Sequence, residues 1–415
     1  MRLTQPKLIS ILMVIAAIIF GWTAIRFQLA NMLAENISPF NPEARVTAEY
    51  ALWLSPSDPM VNWFLATSNR MLPAKEITKR YEQTVRLAPN DFRWWVELSR
   101  AREQSEDVES AEKAILQAIN LAPSYVYPRW QAGNFYLRQG KVDQALQEFQ
   151  KAIEHNTIYR QQVFSVLWDY FNKDLKMLDQ ITSSVPSSKV DLALFLAAKD
   201  RPNESLSIWQ SLSKEYKAER EQTARVIIQG LFDKRFFLSA VQFSKEIGID
   251  ENAEPEKITN PSFELPLYLE SQRYFDWKII PAEKTDIVPD VSQKKEGRRS
   301  VRVRFNGFFG IHFYHFYQIV AVQPSTKYSL SFWYKAEKVK SAGPPTIEIV
   351  NANDDKLVKA SEPLTDTEEW KKVELIFITP ENAEGISVRI GRIPCGSQCP
   401  LFGTIWLDDF ELRKL

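Results

Sequence analysis

At 415 residues, with 45% hydrophobic and 25% charged side chains, the chain is long enough for two or three domains with their own cores, and it is not a disordered polymer. Lys plus Arg and Asp plus Glu both number 52, so no net field draws the whole molecule onto nucleic acid or an anionic surface. A nucleic-acid partner is set aside on that ground.

The first element is LISILMVIAAIIFGWTAI, residues 8–25, which carries no charge. As a helix it spans roughly 27 Å, close to the thickness of a bilayer core, and it predicts a transmembrane helix. A secretory signal peptide is the competing reading, since Arg2 and Lys7 form a basic leader and the small residues Ala30 and Ala34 follow. The apolar run exceeds the usual signal core, which favours an uncleaved anchor. Arg2, Lys7 and the terminal amine precede the span and only Arg26 follows closely. That bias puts residues 1–7 in the cytoplasm and the bulk of the chain outside, which in a bacterial-type envelope means a single pass of the inner membrane with a periplasmic ectodomain. Residues 26–40 read as a linker.

From 41 to 253 the pattern is helical, with long apolar-periodic stretches, little Gly, and Pro at junctions. VRLAPND (85–91) recurs as INLAPSY (119–125), so Leu87, Ala88 and Pro89 map onto Leu121, Ala122 and Pro123 after 34 residues. Gly133, Tyr136, Gly140, Ala145, Phe149 and Ala152 supply the small contacts, aromatic, turn and bulky filler that paired antiparallel helices need. Trp95, Leu98, Ala111, Ala118 and Pro123 do so one copy earlier. The segment resembles an α-solenoid of tetratricopeptide repeats, with five or so helix pairs. That resemblance implies a groove lined by first-helix residues, here Arg93, Arg100, Tyr127, Trp130, Asn134 and Arg138, suited to an extended acidic or C-terminal peptide of a protein partner. Packing of Tyr127 and Trp130 between repeats is the equal alternative. Trp94, Trp168 and Trp209 are expected in the core.

IDENAEPE, around 250–256, breaks the helical pattern and reads as a linker. Beyond it, over 254–415, hydrophobicity alternates with period two in SVRVRF, IVAVQP, YSLSFWYKAE, TIEIVN, WKKVELIFITP, ISVRIG and TIWLDDFEL. About ten strands in about 160 residues predict an all-β sandwich of jelly-roll type. Both cysteines lie in PCGSQCP (394–400), where flanking prolines and a central glycine make a turn that brings Cys395 and Cys399 together as a small disulfide loop. The rival is a two-thiolate metal site, which needs ligands that no other Cys can supply.

Six segments in order, ITNPSFE, FDWKI, GRRSVRVRF, QIVAVQPSTKYSLSFWYKA, EEWKKVELIFITP and IWLDDFEL, resemble the carbohydrate-binding modules of the family 4/9/22 group, among the galactose-binding-like jelly rolls. The resemblance covers roughly 257–414. It implies a structural calcium between an opening Glu and a closing Asp, here Glu264 with Asp408 or Asp409, as hard oxygen ligands from both chain ends. The alternative is that these acids are solvated at a sheet edge. No other cofactor is implied.

FFGIHFYHFYQ (308–318) holds two of the three histidines, spaced H-x-x-H. On a strand, residues three apart point to opposite faces, so His312 and His315 cannot share a metal without a bulge. His315 and Tyr317 are expected on one face with Phe313, and Tyr314, Phe316 and Gln318 on the other. One face lines the core and the other offers rings and polar tips to a sugar, the choice being open at this stage. His312, Tyr314, His315, Tyr317 and Trp333 are the glycan-binding candidates.

No catalytic residue is expected. The adjacent acids Asp354–Asp355, Glu368–Glu369 and Asp408–Asp409 are sequence neighbours, not carboxylates opposed across a cleft, and no phosphate loop, nucleophile elbow or HExxH is present. The resulting expectation is a membrane-anchored, non-enzymatic protein that docks a protein through its repeats and a polysaccharide through its sandwich, in exopolysaccharide or cell-envelope polymer assembly or export. The alternative is a pure protein-assembly scaffold whose sandwich binds no sugar.

Overall fold

The computed structural model describes residues 5–69, 72–155, 157–269, 273–396 and 399–415. The chain divides into two compact units, Met1–Ser188 and Lys189–Leu415. Arg2 lies outside the described residues.

In the first unit, α1 (Gln5–Asn36) is one continuous helix of 32 residues, longer than the apolar run that seeds it. Its apolar stretch, from Ile9 onward, is exposed and long enough to cross a membrane. Its last turns are packed instead. Ala30 and Ala34 are buried against Ala44, Ala48 and Phe64, the first two from α2 (Ala44–Leu54) and the third from α3 (Pro59–Ser68). Residues 26–40, expected as a linker, thus include a packed helix end, because small side chains on one face let α2 and α3 approach closely.

Helix pairs follow: α4 (Ala74–Leu87), α5 (Phe92–Gln104), α6 (Val108–Leu121), α7 (Val126–Arg138), α8 (Val142–His155), α9 (Arg160–Tyr170) and α10 (Lys176–Thr182). Asp58, Asp91 and Asp107 cap α3, α5 and α6 by accepting backbone N–H groups, which satisfies donors the first helical turn leaves open. Gly133 of α7 lies under Phe149 of α8, both buried, and Gly140 makes the intervening turn at φ +70°. Trp94 and Trp168 are buried, as expected for core residues.

In the second unit, α12 (Pro202–Gln210), α13 (Lys214–Glu219), α14 (Glu221–Asp233) and α15 (Phe237–Glu246) precede the β domain, after α11 (Pro186–Ala198), which straddles the division. Trp209 is fully buried. Residues 250–256 do not hang free: Asp250 is 3% exposed and accepts the backbone N–H groups of Tyr274 and Phe275, while the N–H of Glu256 donates to the carbonyl of Ala321.

Ten strands are present among the described residues: β1 (Lys278–Ile279), β2 (Thr285–Asp290), β3 (Ser300–Phe308), β4 (Phe316–Ala321), β5 (Lys327–Lys340), β6 (Pro345–Asn351), β7 (Leu357–Ala360), β8 (Lys371–Ile378), β9 (Gly385–Arg392) and β10 (Leu401–Lys414). They form two antiparallel five-stranded sheets, ordered β1-β4-β9-β6-β7 and β2-β3-β10-β5-β8. The alternating apolar residues of both inner faces meet in one core, whose centre is aromatic: the Trp277 and Phe316 rings stack at 4.7 Å, with Phe263, Phe332 and Phe410 around them. The outer face of the first sheet carries the candidate site.

Candidate functional site

On β4, Phe316, Gln318 and Val320 point inward and Tyr317 and Ile319 outward. Gln318 is fully buried yet satisfied, since its amide exchanges bonds of 2.9 and 2.8 Å with the backbone of Thr259. This explains a Gln in a core register: it pins the start of the β domain to the strand.

The segment before β4 corrects the expected faces. Residues 309–315 are not a strand; the chain bends there, so the period-two alternation starts only at Phe316. Phe313 is buried on the same side as Phe316, and Tyr314, expected beside Phe316 and Gln318, instead lines an outer cleft together with Tyr317. His312 is exposed. His315 is half-buried, stacks on Tyr314 at 4.8 Å, and has an enclosed Nδ1 with no hydrogen-bond partner. Burial holds its imidazole below the usual histidine value. His315 faces a separate hollow with Lys284 and Phe309. Among the described residues no group of three His, Cys, Asp or Glu is placed to hold a metal.

The outer cleft, about 450 Å³, is bounded by Tyr314, Tyr317 and Ile319, by Ser387 and Arg389 of β9, by Asp355, and by Phe232, Asp233, Arg235 and Phe237 from the α14–α15 hairpin. A hollow of about 400 Å³ continues it, sharing Phe232, Asp233, Tyr317 and Ile319 and reaching Arg225, Tyr274 and Lys278. Both are of a size that suits a small ligand. Arg389 pairs with Glu348 at 2.8 Å and Arg235 with Asp355 at 3.3 Å. Burial raises the Tyr317 phenol and lowers the Lys278 ammonium, each shift disfavouring the charged form, while Asp250 and Asp276 partly offset the shift at Lys278. Rings and paired charges around an open trough can stack on and hydrogen-bond a hydroxyl-rich ligand.

Trp333 does not join them. It is on the outer face of β5, in the other sheet, with the Lys295 ammonium 4.3 Å from its ring centroid. The glycan candidates are therefore split, because strand order, and not proximity in sequence, decides which sheet a ring occupies.

Glu264 and Asp408 meet the same loop. Glu264 Oε1 accepts the N–H groups of Arg298 and Arg299 at 2.7 and 3.1 Å, and these bonds lower its pKa. Asp408 Oδ2 accepts from Lys295 and Glu296 at 2.7 and 3.0 Å, and its Oδ1 accepts from the N–H of Asp409. Asp408 is buried, which raises its pKa; Asp409 sits at φ +51° where the β10 register shifts. Amide hydrogens, not oxygens, face these carboxylates, and the loop carries Lys294, Lys295, Arg298 and Arg299. The donor set does not fit calcium.

Cys395 and Cys399 are disulfide-bonded, with Cα atoms 5.9 Å apart. Arg392, 2% exposed, holds this loop: its guanidinium donates to the carbonyls of Gly343, Gly310 and Cys399. Gly310 belongs to the bend before Tyr314, so Arg392 also braces that bend.

In the repeats, each candidate arginine already has a carboxylate: Arg93 with Asp91 at 2.6 Å, Arg100 with Glu97 at 3.3 Å, and Arg138 with Glu103 at 2.7 Å. Tyr127 and Trp130 are half-buried with ring centroids 6.3 Å apart, Trp130 also meets Tyr159, and Asn134 donates to the Trp130 carbonyl.

Sequence reasoning missed Phe232, Asp233, Arg235, Asp355, Ser387 and Arg389. No local pattern marks them, since they come from three places more than 30 residues apart in the chain.

Residues 256–393 match the family model described as a carbohydrate binding domain, and residues 129–156 match that of a tetratricopeptide repeat. Among solved structures, one titled "CBM4 structure and function" is 17% identical and covers 38% of this chain and 99% of its own, at TM-score 0.29. A galactotriose complex of TmCBM61 is 17% identical over 39% of this chain and 100% of its own, at 0.28. A MamA from Desulfovibrio magneticus RS-1 is 22% identical over 32% of this chain and 74% of its own, at 0.28. No curated protein matches the chain. The chain joins a helical region containing a tetratricopeptide repeat to a C-terminal β-sandwich that matches the carbohydrate binding domain.

Proposed function

We propose that this is a membrane-anchored, extracytoplasmic binding protein without catalytic activity. Its repeats dock a protein partner and its β domain holds a polysaccharide, in assembly or export of an exopolysaccharide or cell-envelope polymer. The observation that carries the glycan reading is the open cleft flanked by Tyr314 and Tyr317 on the outer face of the first sheet. The helical region supports a protein partner because stacked helix pairs present extended surface without a catalytic constellation. Support for an uncleaved anchor comes from Ala30 and Ala34: cleavage beside either would remove part of a packed core. The disulfide accords with an oxidising compartment.

The test is affinity electrophoresis of the detergent-solubilised full chain in gels containing xylan, β-1,4-galactan, laminarin or alginate. Retarded migration in at least one gel, weakened by Tyr317→Ala, is expected. Unretarded migration in every gel would favour the protein-assembly scaffold. Mass spectrometry of the protein from membranes should find the N-terminus uncleaved; a mature N-terminus beyond Ala30 would sink the anchor.

A further inference from the structure

We infer that helix α14 is the second wall of the glycan site, so that a polysaccharide segment inserts between helix and sheet instead of lying on an open sheet. This rests on the glycan reading above and adds a binding surface from outside the matched 256–393 domain.

Phe232 and Asp233, at the end of α14, line both the 450 Å³ cleft and the 400 Å³ hollow, as Tyr317 and Ile319 of β4 do, so helix and strand both border the place where the two hollows adjoin. This wall is fastened to the β domain through its last turns and the residues just beyond them. Beyond its C-terminus, Asn353 Nδ2 donates to the Arg235 carbonyl at 3.1 Å and the Arg235 guanidinium bonds the Ala352 carbonyl. Along its length, Tyr274 Oη donates to Gln229 at 3.1 Å, and the Phe232 ring meets those of Tyr274 and Phe275 at 5.3 and 5.6 Å. Phe237 sits so close over Gly385 that an added Cβ there would come within 2.5 Å of its ring. The hairpin is thus seated directly on the first residue of β9. A ring face on each side, with the Asp233 carboxylate held by Gln229 Nε2 at 2.7 Å, gives a sugar stacking and hydrogen-bonding partners that one sheet alone lacks.

The experiment uses the full chain in detergent and the polysaccharide, from the panel above, that retains the wild type. Phe232→Ala should lower affinity about tenfold, comparably to Tyr317→Ala. Asp233→Ala, at an exposed position that tolerates truncation, should lower it about threefold. Ile376→Ser, on the outer face of the other sheet, should bind as wild type, and circular dichroism melts should show each variant folded. If Phe232→Ala and Asp233→Ala bind as wild type while Tyr317→Ala does not, the wall is overturned and the glycan reading stands. If the wild type itself is retained by nothing, the glycan reading fails first and takes the wall with it.

Discussion

The Arg235 guanidinium lies 3.3 Å from the Asp355 carboxylate, joining the turn between α14 and α15 to the turn between β6 and β7 across 120 residues of chain. The pair is partly exposed, so its Coulomb contribution is small; the buried part of the link is the bond to the Ala352 carbonyl. Arg235→Ala should lower unfolding stability by about 1 kcal/mol and weaken glycan retention. Arg235→Lys should restore little, because an ammonium cannot span carbonyl and carboxylate as a fork does. Urea denaturation with parallel affinity gels measures both, and unchanged values in both assays would refute the role.

Gly133 tests the repeat packing. A Cβ there would lie 2.6 Å from the Phe149 ring, in a buried site. Gly133→Ala should destabilise the chain by about 1–3 kcal/mol, and Phe149→Leu in the same chain should recover part of that loss. Additive single and double mutants by thermal melting would contradict the contact.

His315 should titrate below the ordinary histidine value, because burial disfavours its charged form. The sign follows: the folded pKa lies below the unfolded value of about 6.5, so the associated stability is complete above about pH 6.5 and is lost as pH falls through the lowered folded value. The chain has three histidines, so their NMR resonances are separable by mutation. The His315 midpoint should lie under 6.5 and shift the stacked Tyr314 ring with it. A midpoint at or above 6.5 counts against the enclosed ring.

Chelation distinguishes the two roles of the terminal carboxylates. With Glu264 and Asp408 occupied by backbone N–H groups, EDTA and added calcium should leave the melting temperature unchanged. Asp408→Ala should cost about 1–3 kcal/mol, since Lys295 and Glu296 N–H groups lose their acceptor. A calcium-dependent rise in melting temperature would restore the ion.

Arg392 should matter more than the disulfide it braces. Closing so short a loop is worth about 2 kcal/mol by chain entropy, whereas Arg392→Met strands three carbonyls and should cost about 3 kcal/mol or more. Comparing its melt with that of Cys395→Ser/Cys399→Ser decides the order.

The features legible in the sequence were those written in neighbouring residues. Apolar length made α1 visible, the 34-residue spacing of Leu87–Pro89 and Leu121–Pro123 made the repeat visible, and alternation located β3 to β10 except for the short β7. The short spacing of Cys395 and Cys399 in a Pro/Gly turn made their bridge visible. Each of these is a local periodicity that burial imposes on the chain.

Tertiary structure alone decided which surfaces meet. Alternation says that one side of a strand is apolar, and is silent on what covers the other side or on a bend such as that at 309–315, which turned Tyr314 toward Tyr317. Sheet order sent Trp333 to the opposite surface, and the seating of Phe237 on Gly385 brought Phe232 to the cleft. These are packing outcomes among segments far apart in the chain, and no short stretch of residues contains them.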